Sequence, residues 1–366
     1  MTIGVHAAAA FRDQPTGVER YVRDLLAAIA VSPLAKPHRF LLYTNEEDRE
    51  GRRKNGENIT MRVLRAPFCW TQLRLSWEMA FHPPDVLFLP AQALPRVLPK
   101  RSVATIHGVE FDQFPLGYGA FRRSYLRFVT RDAVARASSL IAVSEATKRE
   151  LIERYRIAPN HVSVVHHGAP VPPADLRRGT SSEPYFLFIG RLELKKNVDG
   201  IVRAFTIFRE RRRDASHQLF LIGSPGFGYR RILREIERSP VRDAMRILGY
   251  VGEREKWRFL ADATALLLPS WAEGFGMPIL EAQAVGTPVV TGDTTAMPEV
   301  AGKHGALFVP SGDDEALADA MGEIAEDQAL RERLSGAGKK NLERFSWERA
   351  ARKTLEVLLG AMEAMD

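Results

Sequence analysis

The 366 residues include a single cysteine, Cys69, so an intramolecular disulfide and any cysteine-based zinc site are excluded. That usage points to a reducing compartment, and the lone thiol reads as core packing. No apolar run approaches the ~18–20 residues that a helix needs to cross a bilayer. The opening MTIGVHAAAAF has no basic stretch ahead of an apolar one, so it reads as a first strand and not as a signal peptide. A cytoplasmic protein is expected. Zinc-finger, ribonucleoprotein and basic-zipper patterns are missing too, as is a Walker A phosphate loop. The net charge of +7 and pI near 9.6 therefore point to nucleotides or anionic lipid ahead of nucleic acid.

What is present suits a globular chain with real cores: 45% of residues are hydrophobic, and the length predicts two domains. Short apolar runs recur at 3–8, 40–43, 59–64, 86–89, 103–106, 140–143 and 162–165, several separated by helical patterns such as Val18, Tyr21, Val22, Leu25, Leu26 and Ile29. After a turn-rich stretch with four prolines (169–184) the pattern restarts at 185–189, 218–222, 245–251, 264–268 and 288–291. Strands alternating with helices predict mainly parallel sheets covered on both faces, an α/β fold of two doubly wound halves. Ser144, directly after a strand, is a candidate N-cap, and the chain reads as helical from Asp313 on.

One stretch, PSWAEGFGMPILEAQAVG (269–286), has the order strand, glycine loop, helix. Gly274 and Gly276 admit close backbone approach, and the unpartnered N–H groups opening a helix at Pro278 favour phosphate or sugar oxygens. Glu273 and Glu281 frame the loop and can address two parts of one ligand; alternatively one is a solvated carboxylate and the other only complements the helix dipole. Three further pieces stand where strands meet loops, the usual ligand edge of an open α/β sheet. Gly17 closes the loop RDQPTG, His107 opens TIHGVEFDQFP, and Arg191 and Lys196 lie in GRLELKKN, with Lys195 a weaker alternative. Such a cation pair suits a diphosphate, Arg as a fork and Lys as a point charge. Each also has a bland reading: a turn glycine, a structural histidine, surface cations.

EGFGMPILEA resembles the glutamate, seven residues, glutamate signature of retaining glycosyltransferases of family 4, and TGVERYVRDLL, TIHGVEFDQFP, GRLELKKN and the short Pro298-Glu299-Val300 resemble further family segments in order. The resemblance implies the GT-B fold: two doubly wound Rossmann-like domains facing a cleft, with a C-terminal helix crossing back to the first. Expected boundaries are an acceptor-side domain 1–170, a linker 171–184, a nucleotide-sugar domain 185–345 and the returning helix 346–366, opened by Ser346 as N-cap. It implies that Gly17, Gly190, Arg191 and Lys196 lie along the donor diphosphate, and that Tyr250, on a strand end with Gly249, lies near the nucleoside. Glu273 with the loop Gly274, Phe275, Gly276, Met277, Pro278 and Ile279 would hold the sugar and phosphate, Glu281 the ribose, and His107 the sugar. His107, Arg191, Lys196 and Glu273 are thus the expected catalytic residues. One departure is Gly108, often Asp in the family, which loosens the acceptor side.

No two aspartates are separated by a single residue, so the metal-binding DxD motif of the other large glycosyltransferase architecture is missing and no metal or other cofactor is expected. The implied reaction is retaining hexosyl transfer, with GDP-mannose the donor that the histidine loop and TTAMPEVAG most resemble. The implied acceptor is a glycan or lipid-linked saccharide in cell-surface polysaccharide or lipopolysaccharide synthesis. A non-hydrolysing nucleotide-sugar epimerase and a catalytically silent nucleotide-sugar-binding subunit stay open at this point. The stretch 121–137, with Arg122, Arg123, Arg127, Arg131 and Arg136 beside Tyr125 and Phe128, reads either as a face for an anionic membrane at the cytoplasmic side or as a solvated face over a buried stripe.

Overall fold

The computed structural model describes residues 1–11, 17–45, 58–66, 68–177, 179 and 183–363, arranged as two compact units. The loop 12–16 ahead of Gly17 lies outside the described residues. The first unit comprises Met1–Val109, Ser124–Gly168 and the chain from Phe345 onward. Its strands are β1 (Thr2–His6), β2 (Arg39–Thr44), β3 (Ile59–Val63), β4 (Val86–Leu89), β5 (Ser102–Ile106), β6 (Ser139–Ala142) and β7 (Val162–Val164). All pair in parallel, in the order β3-β2-β1-β4-β5-β6-β7. β4 and β5 are buried along their whole length, as continuous apolar runs in a doubly covered parallel sheet must be. The Gly17–Val31 helix turns Tyr21, Val22, Leu25 and Ile29 into this core. The C-terminal Trp347–Glu363 helix packs beside them through Ala350, Ala351, Leu355 and Leu358, so it belongs to the first unit. Burying each of Leu355 and Leu358 contributes roughly 1.5–3 kcal/mol. Ser144 caps the Glu145–Tyr155 helix by accepting the Thr147 N–H at 3.0 Å.

The second unit comprises Ala169–Arg344 together with Glu110–Arg123. Its strands are β8 (Tyr185–Ile189), β9 (Gln218–Ile222), β10 (Met245–Gly249), β11 (Ala265–Leu268), β12 (Val289–Gly292) and β13 (Leu307–Val309), again all parallel, in the order β10-β9-β8-β11-β12-β13. The three-residue β13 has no counterpart in the strands expected from sequence, since so short a run carries no periodicity. Two expectations change. The stretch Glu110–Arg123, counted above with residues 1–170, joins the second unit because Phe114 stacks flat on Trp271, rings 4.9 Å apart and 3° from parallel. Cys69 is exposed and not a core residue: it sits at φ 48° beside Trp70, which turns its indole N–H onto the Leu64 carbonyl and leaves the thiol outward.

Candidate active site

In the second sheet the strand order reverses between β8 and β11, and the two loops leaving their carboxyl ends are GRLELKKN and PSWAEGFG. Ligands bind at such a switch point in open α/β sheets. The two loops are tied together by the Trp271 N–H, which donates to the Lys195 carbonyl at 3.0 Å. From one loop Lys196 donates through Nζ to Glu273 Oε1 on the other, and Ser270 Oγ donates to the same oxygen at 2.7 Å. The Glu273 carboxylate is only 6% exposed. Burial pushes it up, but Lys196 and Lys195 and the two hydrogen bonds outweigh burial and hold it below the usual carboxylate range. Behind the loop, Thr295 Oγ1 accepts the Glu273 N–H at 3.0 Å, so the TTAMPEV segment fixes the backbone of the glutamate from the far side.

Past Glu273, Gly274 and Phe275 are buried and Gly276 sits at φ 97°, a backbone that L side chains rarely adopt. The Met277–Val285 helix then starts, with Pro278 in the first turn where its missing N–H costs nothing. Met277 and Pro278 are half-buried and Ile279 is fully buried. One turn further along, Glu281 pairs with Lys256 Nζ at 2.7 Å, and that lysine also meets Glu253 at 2.9 Å. Lys195 is half-buried, which opposes its charge, yet Glu110, Tyr118, Glu273 and Glu193 more than offset the loss and raise its pKa. Gly190 follows β8 directly and donates its N–H to the Ile222 carbonyl; Arg191 beside it is exposed and has no ion pair among the described residues. Tyr250 is 55% exposed at the end of β10.

His107 and Gly17 belong to the first unit. His107 follows β5, donates through Nε2–H to the Pro90 carbonyl at 2.7 Å, and lies edge-on to Tyr21 with ring centroids 4.8 Å apart. Burial pushes its pKa down to about 4 against the smaller opposing effects of the Pro90 hydrogen bond and Glu19, so the imidazole is neutral at ordinary pH. Gly17 begins its helix with nothing among the described residues within 4 Å of where a Cβ would be, so nothing described there requires a glycine.

The structure thus gathers Gly190, Arg191, Lys196, Glu273, Gly274, Phe275, Gly276, Met277, Pro278, Ile279, Glu281 and Tyr250 into one unit, with Gly17 and His107 in the other. It also joins Lys196 and Glu273, considered above as separate functions, into a single ion pair. Ser270, Lys256, Thr295 and Glu110 were not anticipated. Ser270, three residues before Glu273, was within reach of local reasoning; the partners of the other three are 22 or more residues away. Among the described residues no group of three or more His, Cys, Asp or Glu comes together as a metal site.

Two family models match the chain: "Glycosyl transferases group 1" over residues 177–341 and "Glycosyltransferase Family 4" over residues 15–171. The chain is similar to the O-antigen chain mannosyltransferase B of Escherichia coli, 25% identical over 93% of this chain and 95% of that protein. It is also similar to the D-inositol 3-phosphate glycosyltransferase of Streptomyces avermitilis, 31% identical over 63% of this chain and 53% of that protein. The chain therefore spans about half the length of the latter. Among solved structures, a sucrose-phosphate synthase from Thermosynechococcus elongatus superposes with a TM-score of 0.77 over the full length of both chains, at 19% identity, a likeness of fold. The two parallel Rossmann-like sheets are of GT-B type, and the family models with the similarity to curated glycosyltransferases identify a glycosyltransferase enzyme. The chain belongs to the family 4, group 1 glycosyltransferases.

Proposed function

We propose that this glycosyltransferase transfers a hexosyl group, best read as mannose from GDP-mannose, to a glycan or lipid-linked acceptor in cell-surface polysaccharide or lipopolysaccharide synthesis. Transfer proceeds with retention at the anomeric carbon. The observation that carries the reading is the buried Lys196–Glu273–Ser270 cluster at the β8/β11 switch point, next to the opening of the Met277–Val285 helix. The mannose assignment draws on the similarity to the Escherichia coli mannosyltransferase along nearly its whole length.

As the sugar leaves, negative charge grows on the diphosphate and positive charge on the ring. Arg191, Lys196 and the N–H groups of the glycine loop and helix start supply the first need, and one preorganised donor of this kind is worth about 3–4 kcal/mol in the barrier. Because these groups are already cationic or dipolar, no divalent ion is required of the protein. The Glu273 carboxylate takes sugar hydroxyls, Glu281 takes ribose hydroxyls, and neutral His107 offers a hydrogen bond to the sugar without adding charge. The leaving phosphate itself receives the acceptor proton. A thermal-shift panel of GDP-, UDP-, ADP- and dTDP-sugars, followed by product analysis with and without chelator, tests this. Stabilisation by GDP-mannose and chelator-resistant mannosyl transfer are expected; loss of transfer in chelator with recovery on adding magnesium, or epimerised donor formed without acceptor, overturns it.

A membrane-side location follows from a separate observation. On the Ala120–Arg136 helix the buried stripe is Val129, Thr130 and Ala133, whereas Phe121 (90% exposed), Tyr125 and Phe128 (66%) line the solvent side, flanked by exposed Arg122 and Arg131. Among the described residues no helix is long and apolar enough to cross a membrane, so contact would be peripheral. An exposed aromatic stripe between arginines suits an anionic interface. Co-sedimentation with phosphatidylglycerol vesicles should be lost in a Phe121→Ser/Phe128→Ser variant; equal pelleting of variant and parent overturns the assignment.

A further inference from the structure

The glycine loop already carries a guest. The Gly274 N–H, one of the groups assigned above to the donor, donates to Glu110 Oε1 at 2.9 Å. The contact is not isolated, because the whole run from Glu110 to Tyr118 is fitted to the second unit. Phe114 lies flat on Trp271, four residues on from Glu110 and three before Gly274. Gly117 packs so closely that a Cβ there would come 2.7 Å from Phe114 and 2.9 Å from the Lys195 Cβ. The Lys195 ammonium sits 5.6 Å from the centre of the Tyr118 ring, and among the groups favouring its charge Glu110 is the foremost. A carboxylate that accepts a backbone N–H of a glycine loop, with a lysine whose charge it favours nearby, is an anion in an anion site.

We infer that Glu110 is a further residue of the donor site, a carboxylate that keeps the place of a donor oxygen on the Gly274 N–H and thereby sets donor affinity. This rests on the donor reading above. A nucleotide-sugar must displace the side chain to reach that N–H. Affinity is therefore lower than the loop alone would give, and ligands that offer a poorer acceptor than a carboxylate do not dislodge it. The segment that carries it, 110–118, stays docked through Phe114 and Gly117 when the side chain swings away.

Calorimetric titration of the full chain with GDP-mannose and with GDP, for wild type, Glu110→Ala and Glu110→Gln, tests the inference. Losing one competing hydrogen bond predicts a Kd for GDP-mannose about 3- to 10-fold lower in Glu110→Ala. Glu110→Gln, which keeps an acceptor oxygen but no charge, should fall between. Melting temperatures are recorded alongside, because a purely structural Glu110 would lower them and leave the Kd unchanged or raise it. Either of those Kd results, in protein that binds GDP-mannose, overturns the role of Glu110 alone. If neither wild type nor variant binds GDP-mannose or GDP, the GDP-mannose reading falls and takes this inference with it.

Discussion

The carboxyl ends of the two sheets treat buried polar groups in opposite ways. Along the first sheet His6 closes β1, His107 follows β5 and His167 follows β7, and burial strips all three of charge: His6 and His107 are pushed down to about 4, and His167 lies well below its ordinary value. Along the second sheet the half-buried Lys195 and the buried Glu273 keep their charges, because Glu110 and Glu193 favour the first and Lys196 and Lys195 the second. Desolvation removes a charge where the opposing effects are small, as Glu19 is for His107, and spares one where they are large. One edge thus carries neutral imidazoles, and the other carries charges that persist.

The contrast breaks most severely if the central pair is cut. Lys196→Ala leaves Glu273 buried without its ammonium, a loss of about 3–5 kcal/mol for such pairs, so the melting temperature should drop and kcat/KM should fall at least about 100-fold. Adding Glu273→Gln should restore much of the stability but none of the turnover; recovery of turnover would show that the pair is structural only. Arg191→Ala probes the same edge where it is open to solvent. Its expected effect is a loss of about 10- to 100-fold in kcat/KM with unchanged melting temperature, and near-normal turnover would remove Arg191 from the phosphate site.

The histidine edge is tested by pH. His6 and His107 have folded pKa values of about 4, below the ordinary value of 6.5, so between these limits the unfolded chain binds more protons than the folded one. Their contribution to stability is complete above pH 6.5 and is lost as pH falls toward 4. Melting curves across that window should show the decline, less steep in His107→Gln than in the parent; parallel curves would mean that His107 is not buried neutral. Smallest is Ser270→Ala, which deletes one of the hydrogen bonds to Glu273 at a cost of about 1 kcal/mol and a few-fold in kcat/KM.

Much of this was legible before any coordinates. Strands β4 and β8 fall on the expected residues, because a strand buried on both faces reads as an unbroken apolar run. Ser144 was readable as a cap since its partner, Thr147, is three residues away. The exposed thiol of Cys69 was not, because burial at an isolated residue depends on how its neighbour Trp70 turns. Nor could the arginine-rich helix reveal which side its aromatics take: Phe121, Tyr125 and Phe128 share one stripe and Val129 and Ala133 another, and only packing chooses between them.

By itself the sequence determined the α/β class, the alternation of elements and the position of the glycine loop, since hydrophobic period, turn residues and helix-start signals act over a few residues. The tertiary structure alone decided which charges are paired. Lys196 reaches Glu273 across 77 residues, Lys256 reaches Glu281 across 25, and Gly274 receives Glu110 across 164. The first of these forms only when β8 and β11 lie side by side, and no local pattern in the chain encodes the energy of a contact that chain closure must first create.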